Sequence, residues 1–168
     1  MSHGSHQAFR GRYLGHALGQ AMGRLEPLAA SHPGTAFGPL GEALFWLVAL
    51  DDLLEDVGGE LYRNERDADD AGRLMRGLRY ARNQVAHGTL VATLVDVNPD
   101  NAVLDVMILD QARLDTPIRL IWLARREFPE PTRDQRGADE VYDAELAGKP
   151  LLDTLARAVR FARTSGGV

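Results

Sequence analysis

An apolar run near the middle of the chain constrains the fold more than any other feature of the sequence. Every side chain from Leu44 to Leu50 is apolar, so a helix over residues 40–57 would have no polar face to turn toward water. A helix of this kind is stable when other helices surround it. The run is also far shorter than the roughly 20 apolar residues that a membrane span needs. The sequence therefore predicts a mainly helical bundle with residues 40–57 at its centre.

The C-terminal end of this central helix is acidic. Four carboxylates precede the Gly58-Gly59 pair at which we expect the helix to stop: Asp51, Asp52, Glu55 and Asp56. Carboxylates in a last helical turn oppose the helix dipole, at a cost of a few tenths to about 1 kcal/mol. We therefore expect Asp51 or Glu55 to contact an arginine of the next helix and so to orient Arg79 or Arg82. The four-residue spacing also suits a divalent cation, but no carboxylate–histidine pattern from a second helix accompanies it. Ion pairs with Arg73, Arg76 or Arg79, or plain solvation, are therefore favoured over a metal site.

The next predicted helix runs from a cap at Asp69 or Asp70 to His87, and it has two distinct faces. Its apolar residues recur at intervals of four, three and four and form one narrow stripe that packs on another helix: Leu74, Leu78, Ala81 and Val85. The opposite face is polar and carries Arg76, Arg79, Asn83 and His87. Gly88 favours the left-handed conformation that ends a helix, which places His87 in the last turn.

Arg82 lies between these two faces, about 140° around a straight helix from His87. Three arrangements would bring the two side chains together: the long Arg82 stem reaches round, the helix ends near Ala86, or a second copy of the chain supplies the neighbour. The helix dipole favours a cationic imidazole at His87, whereas Arg79 and Arg82 favour a neutral one. An imidazole under such opposed influences is suited to proton transfer near neutral pH. We expect dimerisation through the polar face of residues 69–87.

The N-terminal part of the chain is expected to form one further helix followed by a loop. Residues 1–6 are expected to be disordered. Apolar residues at helical spacing predict a helix over residues 7–25, and glycines four residues apart on it would let another helix approach closely: Gly15, Gly19 and Gly23. Prolines and glycines favour a loop over residues 26–39, and residues 62–67 are expected to form a polar connection.

The C-terminal half of the chain changes from helical to mixed patterns. Residues 89–97 are rich in β-branched side chains and either prolong the preceding helix or form an extended segment. Residues 103–109 and 117–123 predict two short strands of a hairpin, with a helix over residues 102–114 as the alternative. Two further helices are predicted, over residues 137–147 and 148–163.

Composition excludes several classes of protein. The chain has no cysteine, which excludes disulfides, thiolate metal sites and cysteine nucleophiles and fits a reducing cytoplasm. Its net charge of −5 argues against a sequence-independent nucleic-acid coat protein but leaves room for a local cationic groove. The first residues lack the charged start and apolar run of a signal peptide. We expect one soluble, cytoplasmic domain over residues 7–164, without a membrane span and with Trp46 and Trp122 in its core.

Arg82, four intervening residues and His87, with Asn83 directly after the arginine, resemble the Rx4-6H motif of HEPN domains. These domains are helical, commonly dimeric and often metal-independent ribonucleases. Three segments also resemble an uncharacterised actinobacterial HEPN-like family, and together they extend over most of the chain: residues 42–51, 77–88 and 142–150. The resemblance implies a mainly α, HEPN-like up-down helical bundle with a small β-hairpin inserted before the C-terminal helices.

The resemblance also implies a chemistry for these residues. His87 would act as general base or acid, and Arg82 would stabilise the charge of a phosphorane during RNA cleavage. Asn83, Arg79 and Asp51 would bind or orient the substrate or the catalytic groups. No metal or cofactor is expected, and the products would carry 2′,3′-cyclic phosphate ends.

The biological setting implied by the resemblance is a toxin or defence effector that acts on RNA as a homodimer. An antitoxin or a nucleotidyltransferase encoded beside it would then be its partner. The alternative is a non-catalytic HEPN module that binds a protein partner or a nucleotide, and a purely structural helical dimer stays open as a third class.

Overall fold

The computed structural model describes residues 3–28, 33–96, 118–128 and 137–166. The chain forms five α-helices, two strands and two short 3-10 helices within these ranges. In chain order they are α1 (His3–Leu25), a 3-10 turn (Glu26–Leu28), α2 (Pro33–Ala68), α3 (Leu74–Ala86), β1 (Ala92–Asp96), β2 (Ile118–Trp122), a second 3-10 turn (Arg125–Glu127), α4 (Ala138–Glu145) and α5 (Leu151–Gly166). The predicted class, mainly helical with a small antiparallel pair of strands before the C-terminal helices, is confirmed.

Helix α2 is the central element, and α1, α3 and α5 all pack against it. Its inward residues are almost fully buried: Leu40, Leu44, Leu47 and Leu50. The expectation that α2 is surrounded on every side is wrong, however, because Phe45 is 53% exposed and Trp46 is only partly buried. The helices that pack on α2 leave one edge of it open to solvent.

Helix α2 is also longer than the sequence predicts, at both ends. It begins at Pro33 inside the predicted loop and contains Pro39, and the buried residues on either side of that proline, Ala36 and Leu40, anchor the helix there. At Gly59 the backbone leaves helical geometry, with φ 58° and ψ −131°, and helical structure then resumes as far as Ala68. The predicted stop at Gly58-Gly59 is therefore a kink.

Residues 62–67, predicted as a polar connection, are helical in consequence of that kink. Positive φ is a conformation that glycine adopts without the steric cost other residues incur, so Gly59 can redirect the helix without ending it. Beyond the kink, Tyr62 and Arg66 are buried and bond back to Asp51, which stabilises a second helical segment in spite of its polar sequence.

Helix α3 has the two faces that the sequence predicts. Leu74, Leu78 and Ala81 are fully buried, and Val85 packs at Gly41 of α2, where an added Cβ would lie 3.2 Å from Val85 Cγ1. The predicted cap at Asp69 or Asp70 is wrong for the helix itself, because α3 begins at Leu74 and its N-cap residue is Arg73. The Asp69 carboxylate instead stabilises the turn before α3, where it accepts hydrogen bonds from the N–H groups of residues 71 and 72, at 2.7 and 2.9 Å.

The predicted stop at Gly88 is confirmed. Gly88 has φ 80°, its N–H donates to the carbonyl of Val85, and the N–H of Thr89 donates to the carbonyl of Gln84. This pair of bonds is a Schellman motif, which satisfies carbonyls left open at a helix end. His87 is the C-cap residue.

The strand prediction is partly confirmed. Residues 118–122 form β2 as expected, but β2 pairs antiparallel with β1, in the register Ala92 to Trp122 and Leu94 to Leu120. Within the stretch predicted at 89–97, residues 92–96 are thus extended, one of the two outcomes left open, because Gly88 ends the helix before the β-branched run. The predicted strand at 103–109, and the alternative helix over 102–114, lie outside the described residues.

The C-terminal helices complete the core as predicted. Tyr142 and Leu146 of the α4 region are fully buried, as is the predicted inner face of α5 except for Val159 at 8% exposure. Trp122 is fully buried as well, and its Nε1–H donates to Thr154 Oγ1 at 2.6 Å.

At the N-terminus, α1 begins at His3, before the predicted start at residue 7. The predicted close approach of another helix is not seen at Gly19 or Gly23. A Cβ at Gly19 would lie 3.1 Å from Nη2 of the Arg163 side chain on α5, and nothing lies within 4 Å of a Cβ at Gly23. Among the described helices, none combines the length and the apolar character that crossing a membrane requires.

Candidate functional site at the α2–α3 interface

A buried carboxylate is the centre of the polar cluster between α2 and α3. Asp51 is 1% exposed and accepts hydrogen bonds from Tyr62 Oη at 2.8 Å, from Arg66 Nη1 at 3.3 Å and from Arg79 Nη2 at 2.5 Å. Burying a charge without partners is costly, so these three donors are what makes its position tolerable. The predicted contact between Asp51 and an arginine of α3 is confirmed, and that arginine is Arg79.

Neighbouring carboxylates extend this cluster toward solvent. Arg79 Nη1 donates to Asp52 Oδ1 at 2.6 Å, and Arg66 Nη1 donates to Glu55 Oε2 at 2.9 Å. Asp51, Asp52 and Glu55 are therefore held in ion pairs with arginines, one of the interpretations favoured over a metal site. Within the described ranges no group of three or more His, Asp or Glu side chains has the arrangement of a metal centre.

The surroundings of Arg79, Arg66 and Glu55 keep these three groups charged near neutral pH. Burial lowers the pKa of Arg79, but hydrogen bonds from it to Asp52 and Asp51 outweigh that effect, and the net shift is upward. For Arg66 the balance is similar: burial lowers its pKa, and the charge of Asp51 helps to raise it above the ordinary value. A hydrogen bond from Arg66 is the main cause that lowers the pKa of Glu55. The guanidinium groups and this carboxylate thus remain charged.

Tyr62 is the neutral member of the cluster. Burial first, and then the charge of Asp51, raise the pKa of its phenol far above the ordinary value. Its hydroxyl therefore remains a hydrogen-bond donor to Asp51 across the physiological range. The arrangement around Asp51 is suited to hold Arg79 and the α2–α3 register in place, and it is not suited to transfer protons near pH 7.

Arg82 occupies a different position on α3. It lies between Arg79 and Val85 around the helix, about 60° from each, and both of those residues contact α2. Its side chain is partly buried, and its Nε is buried with no hydrogen-bond partner among the residues that the structure describes. Partial burial on the α2 side restricts the stem of Arg82.

Asn83 and His87 are on the solvent side of α3, and both are exposed. The helix ends at Ala86, which is one of the three arrangements that could have brought Arg82 and His87 together. However, the His87 N–H still donates to the carbonyl of Asn83 at 3.2 Å. His87 therefore keeps its helical position, about 140° around from Arg82. The structure brings Asp51 and Arg79 together, and it leaves Arg82 and His87 on different sides of one helix.

Two members of the cluster were missed by sequence reasoning, namely Tyr62 and Arg66. Both fall in the segment predicted as a connection, so neither was a candidate. Their four-residue spacing is the signal that was present, because residues four apart share one face if the segment is helical. The Gly58-Gly59 pair before them predicted a helix end, so the segment was not read as helical.

Comparison with models of protein families, with curated proteins and with solved structures finds no match to this chain. The HEPN resemblance thus stays a prediction made from the motif.

Proposed function

We propose that this protein is a HEPN-type, metal-independent endoribonuclease that acts as a homodimer in the cytoplasm. The observation that supports it is the exposed imidazole of His87 at the capped end of α3, one helical turn after the exposed amide of Asn83. Arg82 precedes them on the same helix, and the Asp51–Arg79 ion pair holds that helix against α2.

The proposed reaction is transesterification within RNA. The 2′-oxygen attacks the adjacent phosphorus and its proton passes to a base, while the bond from phosphorus to the 5′-oxygen breaks and that oxygen gains a proton. The products are a 2′,3′-cyclic phosphate and a 5′-hydroxyl. His87 performs one of the two proton transfers, and Arg82 stabilises the extra negative charge on the phosphorane.

A second copy of the chain resolves the separation of Arg82 and His87. In a C2 dimer formed through the polar face of α3, each copy presents the same surface, so both copies of His87 face one cleft. Arg82 borders that face, and its long side chain in one copy would reach the His87 of the other. The two imidazoles would then serve as base and acid for the two proton transfers. Asp51 and Arg79 act as positioning residues, because they fix how far α3 projects into that cleft.

The test is cleavage of RNA in excess EDTA, with analysis of the product ends. The wild-type protein should leave 2′,3′-cyclic phosphates and spare DNA, which lacks the 2′-hydroxyl nucleophile. His87→Ala should lower the rate by roughly 10²- to 10⁴-fold without changing the melting temperature, because the side chain is exposed. His16→Ala is the matched control, since His16 is an exposed histidine on α1.

Arg82→Ala should lose a comparable rate through lost charge stabilisation, with some loss of stability because its stem is partly buried. A preparation whose activity survives both substitutions contains another nuclease, and the proposal fails. A purified wild-type protein without any RNA cleavage refutes it as well.

The separation of Arg82 and His87 around α3 favours one alternative, a non-catalytic HEPN module that binds a protein partner or a nucleotide through the same face. An antitoxin or a nucleotidyltransferase would be such a partner, whereas a toxin or defence role belongs to the ribonuclease. An inactive wild-type protein that forms a complex with the product of a neighbouring gene, and loses it on His87→Ala, would establish this alternative.

A further inference from the structure

An exposed phenyl ring lies on the edge of α2 that no described helix covers. Phe45 is 53% exposed although it belongs to the most apolar stretch of the chain. Its ring packs edge-on against Trp46, with 4.8 Å between centroids and an interplanar angle of 78°. Trp46 in turn packs edge-on against Tyr13 of α1. The orientation of the Phe45 ring is thus fixed from one side, and the remaining ring surface faces solvent.

The α2–α3 register places Phe45 and Arg82 at the same level of the interface. Two contacts define the register: Gly41 meets Val85, and Asp52 meets Arg79. Phe45 lies between Gly41 and Asp52 along α2, within about 40° of both around the helix. Arg82 lies midway between Val85 and Arg79 along α3, and so at the same level of the interface. Phe45 is 53% exposed, and no cation–π contact joins it to an arginine within the described part of the chain, so the exposed surface of the ring is open to a ligand.

We infer that Phe45 is a stacking platform for a nucleobase of single-stranded RNA, next to the phosphate held by Arg82. This inference rests on the proposed RNA substrate and adds a binding residue to the same site. A nucleotide offers a flat π surface and an anionic phosphate one sugar apart, and aromatic rings paired with arginines recognise that combination. The platform binds any base, because every base has a π face.

The neighbouring charges distinguish this occupant from a second copy of the chain. A partner helix would bury Phe45 with apolar groups of its own, whereas the groups near its level of α2 and α3 are charged. Glu42, one turn before Phe45, is paired with Arg24, and Asp52 is paired with Arg79, which leaves the partly buried Arg82. Arg82 has no carboxylate partner among the described ion pairs. A cation beside an exposed ring complements an anionic π ligand.

The experiment measures binding without cleavage. The probe is a fluorescein-labelled hexanucleotide of 2′-O-methyl RNA, which has no free 2′-hydroxyl and cannot be cut. Phe45→Leu keeps an apolar side chain and removes the ring, and it should weaken binding by roughly 5- to 150-fold, the range for one base stacked on an aromatic side chain. Phe45→Trp should bind at least as tightly as the wild type. Phe9→Leu makes the same change at a 64% exposed ring on α1 and should leave binding unchanged.

Two further measurements show whether the ring recognises a base. An abasic ribose-phosphate oligomer of the same length should bind wild type and Phe45→Leu equally, because it has no base to stack. The hexanucleotide should quench the fluorescence of Trp46, which touches Phe45, and Trp46→Phe should abolish the quenching because Trp122 is fully buried.

The outcomes separate this inference from the proposed function. A protein that binds the probe through Phe45 but never cuts RNA supports the platform and refutes the nuclease. A protein that cuts RNA through His87 but binds the probe equally well as wild type and Phe45→Leu refutes the platform alone. Phe45→Leu that changes the oligomeric state with no effect on probe binding also refutes it, and identifies the ring as an interface between copies. Absence of any probe binding refutes the platform, and the nuclease is then decided by RNA cleavage alone.

Discussion

Replacing Asp51 by asparagine keeps the volume of a buried side chain and removes its negative charge. Three donors, from Tyr62, Arg66 and Arg79, converge on that charge at 2.8, 3.3 and 2.5 Å. Arg66 is itself 7% exposed, so its guanidinium cannot turn to water when the carboxylate is lost. The substitution therefore leaves buried positive charge with fewer compensating contacts.

The expected loss of stability follows from that geometry. Removing one partner of a buried ion pair costs about 3–5 kcal/mol, and because asparagine keeps one acceptor oxygen we expect a loss of about 2–4 kcal/mol. For a chain of this length such a loss lowers the melting temperature by roughly 4–16 °C. Asp52→Asn is the matched control, since it removes a carboxylate bound to the same Arg79 but is 53% exposed. It should cost about 0–1 kcal/mol, as exposed ion pairs do.

Urea unfolding at pH 7, followed by circular dichroism, measures both free energies of unfolding. The midpoint should fall for Asp51→Asn at an unchanged slope, because the surface exposed on unfolding stays the same. Equal losses for Asp51→Asn and Asp52→Asn, within about 0.5 kcal/mol, would refute the idea that burial gives Asp51 its importance.

Further predictions concern acid, the kink and assembly. The lowered pKa of Glu55 means that its contribution to stability is fully present above its ordinary value of 4.5 and is lost as the pH falls through the lowered value. The free energy of unfolding, measured by urea titration, should therefore fall less for Glu55→Gln than for the wild type when the pH is lowered from 4.5 to 3. An equal fall for both proteins would contradict this. Gly59→Ala should destabilise the protein by about 1–2 kcal/mol, because its φ is 58°. Nothing lies within 4 Å of an added Cβ there, so backbone strain and not a steric clash causes the loss. Gly23→Ala is the control: Gly23 is helical and equally open, so the variant should be neutral or stabilised by up to about 1 kcal/mol in thermal unfolding. Size-exclusion chromatography with light scattering, at tens of micromolar protein, should give the mass of a dimer. The mass of a monomer would contradict the proposed interface on α3.

Local patterns predicted the elements whose causes lie within a few residues. The apolar stripe from Leu74 to Val85, the stop at Gly88 and the inner face of α5 depend on side-chain spacing and on the backbone freedom of one glycine. These are properties of neighbours along the chain, so the sequence alone was sufficient for them. The contact of Asp51 with Arg79 was also predictable, because an acid placed against its own helix dipole requires a cation from elsewhere.

Contacts between distant residues decided the rest. Gly58-Gly59 suits a helix end and a kink equally well, and long-range contacts such as the bonds from Tyr62 and Arg66 to Asp51 favour the kink. Strand β2 required a partner, and the choice of β1 depended on where α3 ended and on which residues the core could bury. Exposure of Phe45 likewise depends on how many helices pack on α2. In each case the structure is decided by the free energy of packing or pairing between segments that are far apart in the chain. The spacing of residues within one segment cannot predict that free energy.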